Sequence, residues 1–270
     1  MKHFLIFLSL VLVSFSTFAQ KQDIDGVKDI DPEVLAYYKK CEQNKKLPII
    51  IPMSDTLMKM ADRTNDHRTH CAALCERAYY YYRHDIQDSA ELVTNEVKRY
   101  ARKYNSPKHY YWIWNMQIDY LSLKHYYQSA LEQLQLMYEE AKEENSEEGL
   151  VQSYYSLSKT YERLGNYKQA YSYDSLLLDF SIKNVPETYN LDSYFRHSVD
   201  MLCKLKRYDE IPAIIKLGRN YCKRESQGYA MDCAEANYYL AINQPRSAEP
   251  FVRNIEYAFG NRPTAFQYTK

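Results

Sequence analysis

Glycine and proline are scarce in this chain, with 6 Gly and 9 Pro among 270 residues. Both are costly inside helices and useful at helix ends. Most of those present fall where a helical array needs breaks: Pro107, Gly149, Gly165, Pro186, Gly228 and Pro245. No run of alternating β-branched residues appears, so the chain carries no strand signal. Motifs of chemistry are missing as well. There is no Gly-x-Ser-x-Gly elbow, no phosphate-binding or nucleotide-binding glycine loop, no His-Glu-x-x-His pair, no phosphoacceptor histidine motif and no DNA-reading helix-turn-helix. The sequence therefore predicts no enzyme, no catalytic residue and no cofactor. Net charge is absent too: 35 Lys and Arg balance 35 Asp and Glu. A general binder of nucleic acid or of anionic membranes carries a clear basic excess.

The one long apolar run is N-terminal. Met1-Lys2-His3 precedes an apolar stretch from Phe4 to Val13, and Ser14 to Ala19 supplies small residues. A charged start, a short apolar region and a small-residue exit predict a secretory signal peptide over residues 1–19, cut between Ala19 and Gln20. The run is shorter than the ~20 residues of a membrane span. No Cys follows it, which argues against a lipoprotein. The expected mature protein is periplasmic or secreted, without stable membrane insertion. Residues 20–30 read as a polar leader, and Asp31-Pro32 as an N-cap with proline in the first helical turn.

What the sequence does have is a period. Ala90, Ala130 and Ala170 lie forty residues apart at one place in a helix-turn-helix pattern, and Ile211 follows 41 residues on. Such a period means stacked helical hairpins, whose extended surface is usually a binding surface. Copies are readable at Leu74, Ala78, Tyr81, Asp85 and Ala90; at Trp114, Leu121, Tyr127 and Ala130; at Phe195, Leu202, Leu205, Tyr208 and Ile211; and at Ala236, Tyr239 and Ala248. An earlier hairpin is expected around Tyr37, Tyr38 and Ile50. Apolar residues recur at three and four spacing, as in Leu131, Leu134, Met137, Tyr138 and Ala141, which buries one helical face. Most of the 29 Tyr read as packing between hairpins, the ring filling space and the hydroxyl reaching water.

The clearest copy runs from Val151 to about Asn184. It reads Tyr154, Leu157, Ser158, Tyr161, Leu164-Gly165-Asn166-Tyr167 and Ala170. This pattern resembles the tetratricopeptide repeat, with Ser158 in place of the family's Gly, Asp174 where an aromatic is usual and Ile182 where the closing Pro belongs. The period of about 40 exceeds the family's 34. The resemblance implies an all-α, right-handed α-solenoid of five to six antiparallel hairpins over residues 31–260, with a tail at 261–270. It also implies a groove lined by the first helix of each hairpin. Carried over, the groove positions are Tyr79, Tyr82 and Arg83; Trp112, Asn115 and Asp119; Tyr155, Lys159, Glu162 and Arg163; and Arg196, Asp200 and Lys204. The implied partner is a protein or an extended peptide, not nucleic acid. The repeats further resemble exported sensor segments of Gram-negative signalling proteins, which implies a role as sensory input.

Two side-chain groups set chemical alternatives beside that reading. His67, Cys71 and Cys75 recur every four residues on one face of an expected helix, a spacing that lets a soft metal bridge two of them. An exported metal-binding protein or enzyme built on these three is the alternative function; a packed helix face is the simpler one. Cys222 and Cys233 flank one turn, so an oxidising compartment permits a disulfide, with two buried thiols as the simpler outcome. The acidic run from Glu139-Glu140 through Glu147-Glu148 reads as a solvated helix end.

Overall fold

The computed structural model describes residues 30–184 and 190–260. The expected signal peptide, most of the leader, Pro186 and the 261–270 tail lie outside these residues. Among the described residues there are twelve α-helices and no strand. They are α1 (Pro32–Asn44), α2 (Ile50–Arg63), α3 (His67–Arg83), α4 (Gln87–Lys103), α5 (Pro107–Leu123), α6 (Tyr127–Glu143), α7 (Glu147–Arg163), α8 (Tyr167–Asn184), α9 (Leu191–Leu205), α10 (Ile211–Tyr221), α11 (Glu225–Ala241) and α12 (Pro245–Gly260). A 3₁₀ turn, Tyr208–Glu210, leads into α10.

The helices keep a strict metre. From α3 to α7 each is 17 residues long, and each is followed by a three-residue turn. The middle residue of every such turn has positive φ: Asn65, Asp85, Asn105, His125, Asn145 and Gly165 stand 20 residues apart. Around them the chain closes in the same way. The Asp66, Ile86, Ser106, Tyr126 and Ser146 amides each donate to the carbonyl five residues back, at 2.8 to 2.9 Å. The Asn65, Asp85, Asn105, His125 and Asn145 amides each donate to the carbonyl three back. This paired bonding satisfies carbonyls that the helix end leaves open. Lys206 and Asn243 repeat the device after α9 and α11. Side-chain caps start several helices: Asp31 accepts from the Glu33 and Val34 amides, Asp66 from Thr69 and Ser146 from Gly149.

Contacts divide the described residues into two compact units, the sequence boundary falling between Leu164 and Gly165. In the first unit α1, α3, α5 and α7 form one layer, each packed on the next. Helices α2, α4 and α6 form a second layer, each seated on the two first-layer helices that flank it in sequence. In the second unit α9 packs on α11, while α8, α10 and α12 cover them. This is a helical-repeat solenoid fold of stacked antiparallel hairpins, as the period predicts.

The covering helices bury a narrow stripe at i, i+4, i+7 and i+11. It holds Ile50, Ser54, Leu57 and Ala61 in α2; Ala90, Thr94, Val97 and Ala101 in α4; and Ala130, Leu134, Met137 and Ala141 in α6. Ala170, Asp174, Leu177 and Ser181 continue it in α8, and Ile211, Ile215 and Gly218 in α10, with Cys222 at its C-cap. The inner-layer helices are buried on more than one side, since they carry a neighbour in their own layer and covering helices above. Tyrosines fill that space: Tyr82 and Tyr120 pair across α3 and α5 with ring centroids 5.1 Å apart. Their hydroxyls are tied down, Tyr82 to Thr94 at 2.8 Å and Tyr120 to Asp85 at 2.6 Å.

Gly149 and Gly228 are not helix breaks; they sit inside the first turns of α7 and α11. At Gly149 the reason is room. A Cβ there would lie 2.6 Å from both the Ala141 Cβ and the Tyr111 ring. Neither neighbour is a flexible chain end. We expect Gly149→Ala to destabilise the protein by about 1–2 kcal/mol, overpacking outweighing the gain in helix propensity. Chemical denaturation reads this directly, and an unchanged midpoint would show that α6 and α7 part without cost.

Candidate functional site

The first-layer helices of the first unit carry the face to which the groove positions map. Forty-residue spacing puts Tyr79, Asp119 and Lys159 at one place on α3, α5 and α7, and Arg83 and Arg163 one turn further on. Tyr79, Trp112, Asp119, Tyr155, Lys159, Glu162 and Arg163 are all half-buried, and Arg83 is exposed. Asp119 Oδ1 accepts from Arg163 Nη1 at 2.8 Å, which ties α5 to α7. Lys159 pairs with Glu162 within α7. Lys45 Nζ lies 5.4 Å from the Tyr79 ring centre, a cation against an aromatic face. Trp112 rests one side of its indole on the core formed by Leu74, Cys75 and Ile113.

Two of the groove positions are interior. Tyr82 belongs to the core between α3 and α4, where its hydroxyl meets Thr94 and burial pushes its pKa up to about 12. Asn115 is buried between α5 and α7; its amide donates to Gln152 at 3.2 Å and its carbonyl oxygen accepts from Ser156. The reason is the register of α3 and α5, which turns both side chains towards the neighbouring helix. In the second unit Arg196 and Asp200 are half-buried and Lys204 is exposed, one turn apart along α9. Asp200 accepts from Asn237 of α11 at 3.1 Å. Burial raises its pKa, while Arg196, His197 and Lys204 pull it down.

The metal alternative does not assemble. His67 stacks on Tyr104 with centroids 3.6 Å apart, and its Nδ1 bonds the Tyr100 hydroxyl at 2.9 Å. Cys71 and Cys75 are fully buried, and burial pushes both thiols up, Cys71 to about 12. Protonated thiols are poor ligands. Among the described residues no three His, Cys, Asp or Glu side chains converge on a point where an ion would sit. Cys222 and Cys233 are separate buried thiols, raised by burial to about 12 and about 11.

Sequence reasoning missed a polar clamp on the other side of α5. Arg102 of α4 donates to Glu140 of α6 at 2.5 Å, to Glu144 just past the end of α6 at 3.2 Å, and to the Tyr110 hydroxyl at 2.9 Å. Lys98 lies 3.9 Å from the Trp114 ring centre, and burial lowers its pKa to about 8. Tyr111 donates to Glu144 at 2.8 Å. The acidic run thus holds neighbouring helices together rather than merely facing solvent. Its signal was Arg102 lying about forty residues before Glu140 and Glu144.

The comparisons bear on the fold. No family model matches the chain, and no curated protein matches it. Solved structures do. The apo form of RapI is 17% identical with a TM-score of 0.59, over 85% of this chain and 64% of that one. The chain therefore spans less than two thirds of RapI. BtubC from P. vanneervenii is 12% identical with a TM-score of 0.60, over 87% of this chain and 95% of that one. This is a helical-repeat fold. At such low identity the likeness carries the architecture alone.

Proposed function

We propose that the protein is an exported, tetratricopeptide-like binding scaffold that takes an extended peptide or partner segment along the first-layer face of α3, α5 and α7. The observation that carries this reading is the composition of that face. Tyr79, Trp112 and Tyr155 present partly exposed aromatic surface, and Arg83, Asp119, Lys159, Glu162 and Arg163 surround it with both charge signs. Aromatic and Arg side chains anchor interfaces because they bury large area and still offer polar contacts. The mixed charges favour a polar peptide over nucleic acid. Arg196, Asp200 and Lys204 of α9 offer a smaller face of the same kind in the second unit. A sensory input role, with cleavage after Ala19, completes the proposal.

The experiment is a pull-down from the extracellular or periplasmic fraction, followed by titration of the recovered partner. Tyr79→Ala with Trp112→Ala should weaken binding at least about tenfold, and Leu92→Ala with Leu136→Ala, on the covering helices, should not. Equal binding by the groove variant, with its fold intact, rejects the face. The intact mass of the recovered protein tests export: retention of residues 1–19 rejects cleavage.

A further inference from the structure

Exposed apolar side chains are not scattered over the first unit. Eight large ones are exposed between residues 30 and 164, and five of them stand on three turns. These are Leu47 and Ile49 between α1 and α2, Ile86 between α3 and α4, and Leu123, the last residue of α5, with Tyr126 between α5 and α6. Each is between 40% and 65% exposed. All three turns run from a first-layer helix to its covering helix, so the hairpin architecture puts them along one edge.

The turns are also bonded to one another. His84 Nε2 donates to the Lys46 carbonyl at 3.0 Å, joining the first turn to the second. Asp85 accepts from the Tyr120 hydroxyl at 2.6 Å and pairs with Lys124 Nζ at 2.7 Å, joining the second to the third. The edge is one continuous surface.

Its charge is segregated as well. From Lys45 to Ile49, Arg83 to Ile86 and Leu123 to Tyr126 there are four Lys or Arg, two His and a single Asp. Asp88, in the first turn of α4, adds one acid. The opposite edge is an internal control built on the same hairpins. Its turns, 63–66, 103–106 and 143–146, carry two basic and three acidic residues and no exposed large apolar side chain. A chain with no net charge thus holds one edge that is apolar and basic and another that is polar and slightly acidic.

We propose that the edge formed by the α1–α2, α3–α4 and α5–α6 turns docks on an anionic lipid surface, with Leu47, Ile49, Ile86, Leu123 and Tyr126 entering the headgroup region and Lys46, Arg83 and Lys124 facing lipid phosphates. Contiguous apolar exposure beyond the usual scatter marks an interaction surface. Projecting apolar side chains set among cations suit an interface whose outer layer is anionic and whose next layer is hydrocarbon. A protein partner's anchors would instead want a pocket to fill. A cavity of 410 Å³ lies elsewhere, among Pro212, Ile215, Tyr238 and Tyr239, and none of its lining comes from these turns. Docking of this kind is peripheral: no described helix is long and apolar enough to cross a membrane. It shares Arg83 with the margin of the peptide face and otherwise uses different residues, so either proposal stands without the other.

The test is hydrogen exchange by mass spectrometry on the full chain. Vesicles of phosphatidylcholine alone are compared with vesicles of phosphatidylcholine and phosphatidylglycerol. Localised exchange separates this edge from any contribution of the apolar N-terminal residues. The expected result is slowed exchange at residues 45–49, 84–87 and 123–127 on the anionic vesicles only, weakened by salt, with residues 63–66, 103–106 and 143–146 unchanged. Leu123→Ser with Tyr126→Ser should reduce the protection about tenfold, as should Lys46→Glu with Lys124→Glu. Leu92→Ser with Leu136→Ser should leave it intact. No protection at the three turns, or equal protection on neutral vesicles, overturns the proposal. So does a dimer in light scattering that the Leu123/Tyr126 variant abolishes, since the edge would then be covered by a second copy.

Discussion

Glu76→Gln is expected to make the protein more stable at pH 8 and to make almost no difference at pH 4. Glu76 lies in α3, buried beside Tyr38 and Cys41 of α1, with Lys45 Nζ 4.0 Å away. Burial raises its pKa from 4.5 to about 7; Lys45 opposes the rise and Glu42 adds to it. A carboxyl with a raised folded-state pKa keeps its proton longer in the folded state than in the unfolded one. The folded state then binds more protons between about pH 4.5 and 7, so stability falls as pH rises through that window. Below it both states are protonated and the group is neutral in its effect. Above it the folded protein holds a buried carboxylate against a single, distant lysine, at a cost of about 3 kcal/mol. Gln keeps the shape of the protonated acid and never ionises. Urea unfolding of both proteins across pH 4 to 8 should therefore give curves that nearly coincide at the acid end and diverge towards pH 8. Parallel curves would mean that Lys45 closes on Glu76 and compensates the charge. Arginine at 45 offers the converse check, because its fork reaches further and should flatten the unmutated slope.

Much of the fold was legible because one physical requirement repeats. A covering helix must approach its neighbours closely at one point per hairpin, so Ala90, Ala130 and Ala170 are fully buried where the period places them. Ile211 and Ala248 follow suit. The helix ends were less legible, and the reason is chemical. Glycine is the usual stop signal, yet of the six turns from Asn65 to Gly165 only the last uses it. Asn and Asp also tolerate the left-handed conformation, because a short polar side chain bonds locally. The signal was present as Asn65-Asp66, Asn105-Ser106 and Asn145-Ser146, a left-handed residue followed by an N-cap residue at each return to the first layer. Reading those pairs would have given a 20-residue metre for single helices, of which the 40-residue period is twice the value.

The candidate face was legible only in part. The period fixes which residues are equivalent between hairpins, but not how far each helix is rotated about its own axis. Tyr82 and Asn115 were placed on the face by register alone, and both turn inward. One residue of rotation is 100°, enough to exchange groove for interior. Local departures from the repeat pattern carried more information than the pattern did. Asp85, Asp174 and the acidic run each hold a specific partner on another helix, which neither the repeat pattern nor a solvated helix end implies.

Asp174 is where a departure from the pattern should be most costly to undo. The repeat resemblance puts an aromatic at this place in α8, and the structure puts a carboxylate there, 1% exposed. Its two oxygens each lie 2.9 Å from His197 Nδ1 in α9. The imidazole N–H has one geometry that reaches both oxygens, so the pair fixes the placement of α8 on α9 as well as adding energy. Asp174→Ala would remove the carboxylate that His197 Nδ1 bonds and leave a small void in the buried stripe of α8. Removing one member of a buried pair costs about 3 kcal/mol. A double-mutant cycle with His197→Ala separates pairing from packing: if the two side chains act as a unit, the double variant loses little more than either single one, a coupling of at least about 1 kcal/mol. Additive losses would mean that each residue is held by other neighbours and that the contact between them is incidental. Asp174→Phe discriminates further. If the site is only a slot for an aromatic, phenylalanine restores stability; if the carboxylate positions α9, phenylalanine removes the bond to His197 and destabilises at least as much as alanine.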